Sequence, residues 1–345
     1  MNKHIWILMC IVFFLILIIP HEVPNYGDDT DYPWTYIPAA RGEIVDQYHG
    51  FVYLLVLKIG NMIWDDWILT GRIISALAMV GSLYFIFRMT QWTGIVLLLI
   101  SPIFLHCAYH LTGDALAWFF MCGAYWVWHA YKMSIHRKDW VLFIGGVLAG
   151  LAFCTRYQMI FIYGLGLFLP FKKSWRFWST ALGLAIFQII LNLRHDLSAL
   201  GNNIFNISEK GTALNVGKIA ENLIVFPMRI MLEAWPLFGI LFVLAVYELV
   251  KRRRYELLIL TFGTLCMVCV SFYSFRFFLP MMLPVVIGAS NWIGRNLEVT
   301  IDDIVDTIPS GRNWLETPVV EGAGEKDKKR RQVWQSFKEN QKKGD

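Results

Sequence analysis

Long apolar runs, each close to the length of a membrane crossing, follow one another along most of the chain. An α-helix needs about 20 mainly apolar residues to span the hydrocarbon core of a bilayer. The pattern therefore predicts an all-α fold, a polytopic membrane bundle of about ten spanning helices. The predicted helices are 4–20, 70–88, 93–111, 114–132, 140–156, 158–171, 177–193, 229–250, 255–275 and 277–294.

Two long connections between these runs are predicted to be outer loops. They are residues 21–69 and residues 194–228. In the first loop, Phe51 to Trp64 is apolar but short for a crossing, which suits a helix lying at the membrane interface. In the second loop, Val216 to Phe226 is expected to form an amphipathic helix.

The domain organisation that follows is one membrane domain and a tail. We expect residues 1–294 to form the transmembrane bundle and residues 295–345 a basic cytoplasmic tail. Two interpretations of the charge-dense part of the tail, residues 325–343, stay open. It is either a solvated, partly disordered segment or a segment that touches anionic lipid through its lysines and arginines.

The distribution of basic residues sets the predicted orientation. Lysine and arginine concentrate in the cytoplasmic connections of membrane proteins, and here every second connection is basic. An even number of crossings, with both termini in the cytoplasm, accounts for this alternation. The basic positions are Lys3, Arg88, Lys132, His136, Arg137, Lys138, Lys172, Lys173, Arg176, the run 251–254 and Arg295.

Composition agrees with a multi-pass protein of the cell (inner) membrane. The chain is 57% hydrophobic and 17% charged, whereas soluble domains are about 25% charged. All six cysteines lie in apolar runs; none has metal-ligand spacing with a histidine, and no disulfide framework is indicated. Cys266 and Cys269 form a CxxC inside an apolar run, where we expect them to act as small apolar side chains. We expect membrane lipids, and no nucleic acid, among the partners.

Ionisable residues of both signs gather on the predicted outer face. The segment 26–32 (YGDDTDY) follows the first helix, and Asp114 opens the fourth. Ionisable groups near membrane depth are costly, and by default they indicate a functional site. The acidic positions are Asp28, Asp29, Asp31 and Asp114, and the basic ones are Lys58, Arg72, Arg156 and Arg276.

This combination fits the transfer of a sugar from a polyprenyl-phosphate donor. Charge grows on the phosphate as the sugar–phosphate bond breaks, so the reaction needs arginine or lysine there. A carboxylate must take the proton from the acceptor hydroxyl. Each residue also has a purely structural interpretation. The aspartates of 26–32 suit a solvated loop, Asp114 suits a helix N-terminus, and the arginines suit snorkelling side chains.

At these positions the chain resembles the polytopic C-type (GT-C) glycosyltransferases. The likeness is to the branch of the protein O-mannosyltransferases and aminoarabinose transferases, which is similar to glycosyltransferase family 39. The family's usual Pro-Pro after the first histidine is Gly-Phe here. The matching segments are 28–32 (DDTDY), 39–42 (AARG), 49–53 (HGFVY), 71–75 (GRIIS), 112–116 (TGDAL), 150–156 (GLAFCTR), 201–205 (GNNIF) and 276–280 (RFFLP).

The resemblance implies an enzyme of the cell envelope that moves a hexosyl or pentosyl group to a lipid, glycan or protein acceptor on the outer side, with inversion. We expect no large soluble outer domain, so the loops or the bundle would bind the acceptor. Asp29 is implied as the general base, with Asp28 and Asp31 as alternates. Asp114 would orient the acceptor or share an optional divalent metal ion with Asp29 and Asp31. The implied substrate-binding residues are Arg276, Arg156, Arg72 and Lys58 for the phosphate, Tyr32 and Tyr36 for the sugar, and His49.

Two other classes of function are compatible with the sequence. A non-enzymatic transporter or flippase of lipids or glycolipids would also need a cationic outer cavity. It should in addition place polar residues through the bilayer midplane and break paired helices with Gly or Pro. The midplane of this chain is nearly free of ionisable residues, which favours a site open to one face. A catalytically inactive scaffold of the same fold is the third interpretation.

Overall fold

The computed structural model describes residues 3–18, 31–43, 50–109, 112–134, 138–193, 216–270 and 278–307. Within these ranges the chain is helical and contains no β-strand, so the predicted all-α fold is confirmed. Several predicted site residues lie outside the described residues. They are Asp28, Asp29, His49 and Arg276, together with the charge-dense part of the tail.

The described helices run in the following order. They are α1 Lys3–Ile18, α2 Asp31–Arg41, α3 Phe51–Trp64, α4 Trp67–Leu99, α5 Pro102–Tyr109, α6 Gly113–Met133, α7 Trp140–Thr155, a 3-10 helix Tyr157–Phe168, α8 Phe171–Leu193, α9 Val216–Arg229, a π turn Ile230–Ala234, α10 Phe238–Lys251, α11 Tyr255–Val270 and α12 Leu279–Thr307. The chain divides into two units, Met1–Asn296 and Leu297–Asp345. The last turns of α12 belong to the second unit.

Several predicted elements coincide with observed helices. The interface helix α3 begins and ends where it was expected, and α6 and α7 match the predicted fourth and fifth helices. The amphipathic helix of the second outer loop is α9. Among the described helices, Trp67–Leu99 and the segment Phe171–Leu191 are long and apolar enough to cross a membrane alone. The count of ten crossings stays a prediction.

The predicted helix 93–111 is wrong in detail, because the structure divides it. Helix α4 continues past the predicted boundary as far as Leu99, with a break at Gln91, whose φ is 57° and ψ −149°. Helix α5 then starts at Pro102. Proline lacks a backbone N–H and disfavours helical geometry in the residue before it. Pro102 therefore separates the two helices at Ser101.

The predicted helix 158–171 is a 3-10 helix, Tyr157–Phe168, rather than an α-helix. A 3-10 helix rises about 2.0 Å per residue and an α-helix about 1.5 Å. Over this segment the difference is between about 24 Å and about 18 Å. Neighbouring helices support the stretched form, since the Trp128 indole donates to the Leu165 carbonyl (3.0 Å) and the Tyr163 hydroxyl to the Ala181 carbonyl (3.0 Å).

The predicted helix 229–250 is also divided. Helix α9 passes into the π turn, Trp235 takes an extended conformation with φ −152° and ψ 93°, and α10 begins at Phe238. Pro236 explains the break, because it pushes the preceding residue out of helical geometry. The apolar pattern continues across this point, so hydropathy does not reveal the division.

Helix α7 packs closely on α8 through two glycines. A Cβ at Gly146 would lie 2.3 Å from the Phe177 carbonyl oxygen, and one at Gly150 would lie 2.7 Å from the Leu184 side chain. Small residues spaced in this way let membrane helices approach each other closely. Since α6 and α7 are joined by a short connection, α6, α7 and α8 form the part of the bundle that carries the site.

The basic connections meet at one end of the bundle. Between α6 and α7, Asp139 accepts from Lys173 (3.0 Å) and from Arg176, both near the start of α8. Arg254, before α11, pairs with Glu256 (2.5 Å) and contacts the Tyr125 hydroxyl on α6. These pairs bring together basic segments that the predicted topology assigns to one side. The start of α6 and the end of α7 lie at the opposite end.

We expect Gly146→Ala to destabilise the protein and Gly183→Ala to be neutral or slightly stabilising. The new methyl group at Gly146 would meet the Thr180 hydroxyl at 2.1 Å, so α7 and α8 must separate. Overpacking of this kind costs about 1–3 kcal/mol. A Cβ at Gly183 meets nothing within 4 Å. Thermal unfolding of the purified proteins in detergent measures the difference, and equal unfolding temperatures would contradict the close packing of α7 on α8.

Candidate active site

A buried ion pair joins the beginning of α6 to the end of α7. Because the two helices are antiparallel neighbours, Asp114 and Arg156 lie at the same end of the bundle. The Arg156 Nε atom is 2.7 Å from Asp114 Oδ1, and its terminal nitrogen donates to Oδ2 at 2.9 Å. Asp114 is 2% exposed and Arg156 5%. The two residues thus form a bidentate, nearly water-free pair.

The helix ends favour the charges that they carry. Asp114 lies in the first turn of α6, at the positive end of the helix dipole, and Arg156 follows α7 at its negative end. Thr112 is the N-cap of α6. Its hydroxyl accepts the Asp114 N–H (3.2 Å) and donates to Asp114 Oδ2 (2.6 Å). Both carboxylate oxygens are therefore held, one by Arg156 alone and one by Arg156 and Thr112.

The first outer loop docks beside Asp114. On α2, the Tyr36 hydroxyl accepts the Gly113 N–H at 3.4 Å. The Tyr36 ring meets the Tyr53 ring of α3 edge to face, with the ring centroids 4.7 Å apart, and both side chains are fully buried. Burial raises the pKa of the Tyr53 hydroxyl above its ordinary value, so this group stays neutral. Asp31 begins α2, roughly 7.5 Å along the helix axis from Tyr36.

A second docking point lies beside Arg156. The Gly50 N–H donates to the Thr155 carbonyl at 3.4 Å, and the Phe51 N–H donates to Gln188 Oε1 at 3.0 Å. A Cβ at Gly50 would lie 1.7 Å from the Cys154 carbonyl oxygen. Only glycine fits at position 50, and a proline at position 51 would have no N–H to donate. These contacts account for the Gly-Phe sequence at positions 50 and 51.

Two of the predicted phosphate ligands lie apart from the ion pair. The Arg72 guanidinium donates to the Ile16 and Leu17 carbonyls at 3.5 and 3.4 Å, so it caps the C-terminal end of α1. Lys58 is exposed on α3. The structure describes the backbone of Asp31 and Tyr32 in α2, but not their side chains. The substrate roles of these residues stay predictions.

The predicted divalent metal ion does not fit the part of the site that the structure describes. Of the three suggested ligands, only Asp114 has a described side chain, and its oxygens are already occupied by Arg156 and Thr112. In the described ranges no group of three or more His, Cys, Asp or Glu side chains is placed to hold a metal. The optional metal ion stays a prediction.

Sequence reasoning missed the residues that attach the loop to the bundle. Gly50, Tyr53, Thr112 and Gln188 all touch the site or its docking points. One signal was available, because Gln188 is the only amide in the apolar stretch 181–191. A polar side chain in an apolar membrane helix needs a partner, and the sequence does not reveal which one.

We expect Arg156→Met to lower the free energy of unfolding by about 3–5 kcal/mol, because it leaves a buried carboxylate without its cation. The double variant Asp114→Leu/Arg156→Met should recover a large part of the loss. The exposed Arg88 on α4 offers a control, and Arg88→Met should stay within about 0.5 kcal/mol. Thermal unfolding in detergent compares the four proteins. A double variant no more stable than Arg156→Met would argue against direct pairing.

Solved structures with a similar fold are known for this chain, although sequence comparison finds no relative. No protein-family model matches the chain, and no curated protein matches it by sequence. Among solved structures, it is similar to ArnT from Cupriavidus metallidurans in the apo state (TM-score 0.59, 13% identity), over 88% of this chain and 62% of ArnT. It is similar to the same ArnT bound to undecaprenyl phosphate (TM-score 0.54, 14% identity), over the same shares of the two chains.

A third similar structure is the archaeal oligosaccharyltransferase AglB from Archaeoglobus fulgidus, in complex with an inhibitory peptide and a dolichol-phosphate. The TM-score is 0.53 at 12% identity, over 91% of this chain and 53% of AglB. The chain thus spans less than two thirds of the length of each relative. The predicted resemblance is confirmed at the level of the fold: the chain has the fold of the polytopic C-type membrane glycosyltransferases.

Proposed function

We propose that this protein transfers a sugar from a polyprenyl-phosphate donor to an acceptor on the outer side of the membrane. The observation that carries the proposal is the buried Asp114–Arg156 pair, with the aspartate-bearing outer loop docked on the residues next to it. The fold of ArnT and AglB supports the same class of reaction. ArnT was solved with undecaprenyl phosphate and AglB with a dolichol-phosphate.

The general base belongs to the loop rather than to the ion pair. A base needs a free oxygen lone pair directed at the acceptor hydroxyl, whereas both oxygens of Asp114 are engaged inside the protein. Asp29 is the proposed base, with Asp28 and Asp31 as alternates. Asp31 begins α2, and the other two are two and three residues before it in the sequence. Asp114 and Arg156 hold the helix ends on which this loop rests and so orient the acceptor region.

The chemical step is a displacement at the anomeric carbon. The base takes the proton of the acceptor hydroxyl, and the acceptor oxygen bonds to the anomeric carbon. The bond from that carbon to the phosphate oxygen breaks, its electron pair goes to the phosphate, and the configuration inverts. Negative charge grows on the leaving phosphate, so cations placed there stabilise the transition state. Arg276 and Lys58 are proposed for this role, since Arg156 already pairs with Asp114 and Arg72 caps α1.

An apolar groove beside α10 suits the lipid part of the donor. Its volume is about 530 Å³. One lining residue, Phe238, meets the Phe278 ring edge to face at 6.2 Å, and Phe278 follows the segment that contains Arg276. A polyprenyl tail in the groove would lie beside Phe278, which is two residues after Arg276 in the sequence. The lining residues are Pro227, Met231, Pro236, Phe238, Gly239, Ile240, Phe242, Val243 and Leu244.

The acceptor is proposed to be a lipid, a glycan or a protein. AglB was solved with an inhibitory peptide, which illustrates a peptide at this fold. The loops and the bundle are the surfaces proposed to bind the acceptor. The sugar is a hexose or a pentose, as the resemblance implies.

The first test of this function replaces each of Asp28, Asp29, Asp31 and Asp114 by Asn. Transfer of labelled sugar from a polyprenyl-phosphate donor is measured in isolated membranes after equal expression is confirmed. Loss of a general base lowers the rate about 10²–10⁴-fold, and we expect this for one of the three loop aspartates. Asp65→Asn is the matched control, because Asp65 is exposed on the same outer segment and has a left-handed backbone that Asn tolerates. Full activity in all four variants would refute the site.

A second test separates donor binding from the proton transfer. Arg276→Gln and Lys58→Met should each weaken binding of the polyprenyl-phosphate donor about 10–100-fold, because a charge-assisted hydrogen bond contributes about 1.5–3 kcal/mol. Lys172→Gln is the control, since Lys172 is exposed among the basic connections at the other end of the bundle. The readout is the KM for the donor. An unchanged KM in both variants would remove these residues from the phosphate site.

A further inference from the structure

Among its described side chains, helix α8 carries one fully buried amide, close in sequence to exposed apolar residues. Gln188 is 1% exposed, whereas Ile186 is 55%, Phe187 48% and Ile190 53% exposed. An amide removed from water costs free energy unless its oxygen and nitrogen both find partners. The position of Gln188 therefore depends on what it binds.

Both ends of this amide are bound. Its oxygen accepts the Phe51 N–H at 3.0 Å, and its nitrogen donates to the Tyr157 hydroxyl at 2.9 Å. A backbone N–H can only donate, so the oxygen of the amide must face Phe51. Tyr157 directly follows Arg156 in the chain. Gln188 thus connects the start of the interface helix α3 to the residue beside the ion pair.

The bond to Phe51 replaces a missing helix cap. The first N–H groups of a helix have no partner inside the helix, and a side chain at the N-cap position usually accepts one of them. The N-cap of α3 is Gly50, which makes no side-chain capping bond, and a larger residue would collide with the Cys154 carbonyl. Gln188, from a different helix, supplies the acceptor.

This cap lies at one of two points where the loop rests on the ion pair. Gly50 binds the carbonyl of Thr155, the residue before Arg156, and Tyr36 binds the N–H of Gly113, the residue before Asp114. The contact between Tyr53 and Tyr36 joins the two points. If the first residues of α3 were released, the loop would therefore be disturbed at both contact points.

We propose that Gln188 is a positioning residue that caps α3 from outside and fixes the first outer loop over the Asp114–Arg156 pair. The docking role rests on the contacts above. Its effect on sugar transfer rests on the proposed function, because the loop carries the proposed base.

Hydrogen–deuterium exchange of the full-length protein in detergent tests the docking role. In Gln188→Met, which keeps the length of the side chain, exchange of the Phe51 amide should become about fivefold to tenfold faster. Thr180→Val is the control, because it removes a hydroxyl from α8 that bonds to α7 and to α8 itself rather than to α3. Gln188→Glu keeps the acceptor oxygen, and the Tyr157 hydroxyl can then donate to it, so protection should return. Equal exchange in wild type and Gln188→Met overturns the proposal.

If Gln188→Met gives no folded protein, Tyr157→Phe decides the same question. It removes the second partner of the amide while the aromatic ring remains, so exchange at Phe51 should rise above the wild-type rate. No rise overturns the proposal.

Sugar transfer by the same proteins tests the consequence for the reaction. Misplacement of a reacting group by about 1 Å can cost 10²-fold in rate. We expect kcat to fall at least about tenfold in Gln188→Met, with the KM for the donor unchanged and the rate restored in Gln188→Glu. If the wild-type protein transfers no sugar, the proposed function is contradicted. The docking role of Gln188 is then tested by hydrogen–deuterium exchange alone. Faster exchange at Phe51 with an unchanged kcat would overturn the positioning role.

Discussion

Asp114 and Arg156 are stable inside the protein only because each neutralises the other. An unpaired charge in this environment would cost several kcal/mol, so the ends of α6 and α7 that carry the pair must stay in register. The N-cap Thr112 holds the carboxylate from one side, and the dipoles of both helices favour the two charges. The outer loop then has a fixed base, because Gly113 and Thr155 belong to the same two helix ends.

The residues that support the outer loop are different from those proposed to react with the substrates. The pair is closed to solvent, and the Arg156 guanidinium contacts both oxygens of the Asp114 carboxylate inside the protein. The residues proposed for proton transfer belong to the loop that rests on this support, and of those proposed for phosphate binding, Lys58 is on α3 and Arg276 precedes Phe278 in the sequence. Such a division is reasonable for a reaction at the membrane surface. The proposed donor carries its own lipid anchor, so the proposed reaction needs a rigid support and a few charges aimed at the reacting atoms.

Much of the fold was predictable because the apolar runs are long and bounded by polar clusters. Helices α3, α6 and α7 were predicted within one or two residues. The common location of Asp114 and Arg156 followed from the order of crossings alone. The breaks at Ser101 and Trp235 were not predicted, because the apolar pattern continues across both positions. Pro102 and Pro236 mark them in the sequence. The partners of Gln188 could not be predicted, because Phe51 and Tyr157 come from two parts of the chain that are both distant from it in sequence. Whether Arg156 faces a substrate or Asp114 is likewise a matter of side-chain geometry.

The 3-10 helix between α7 and α8 has its own periodicity. With about three residues per turn, Tyr157, Tyr163 and Gly166 lie on one face. All three meet α8, where they contact Gln188, Ala181 and Trp178 in turn. In an α-helix of about 3.6 residues per turn, Tyr157 and Tyr163 would point about 120° apart. A repeat of three residues, rather than of three or four, therefore distinguishes this segment. Insertion or deletion of one residue would rotate one end of the face by about a third of a turn, so the length of the segment is as constrained as its composition.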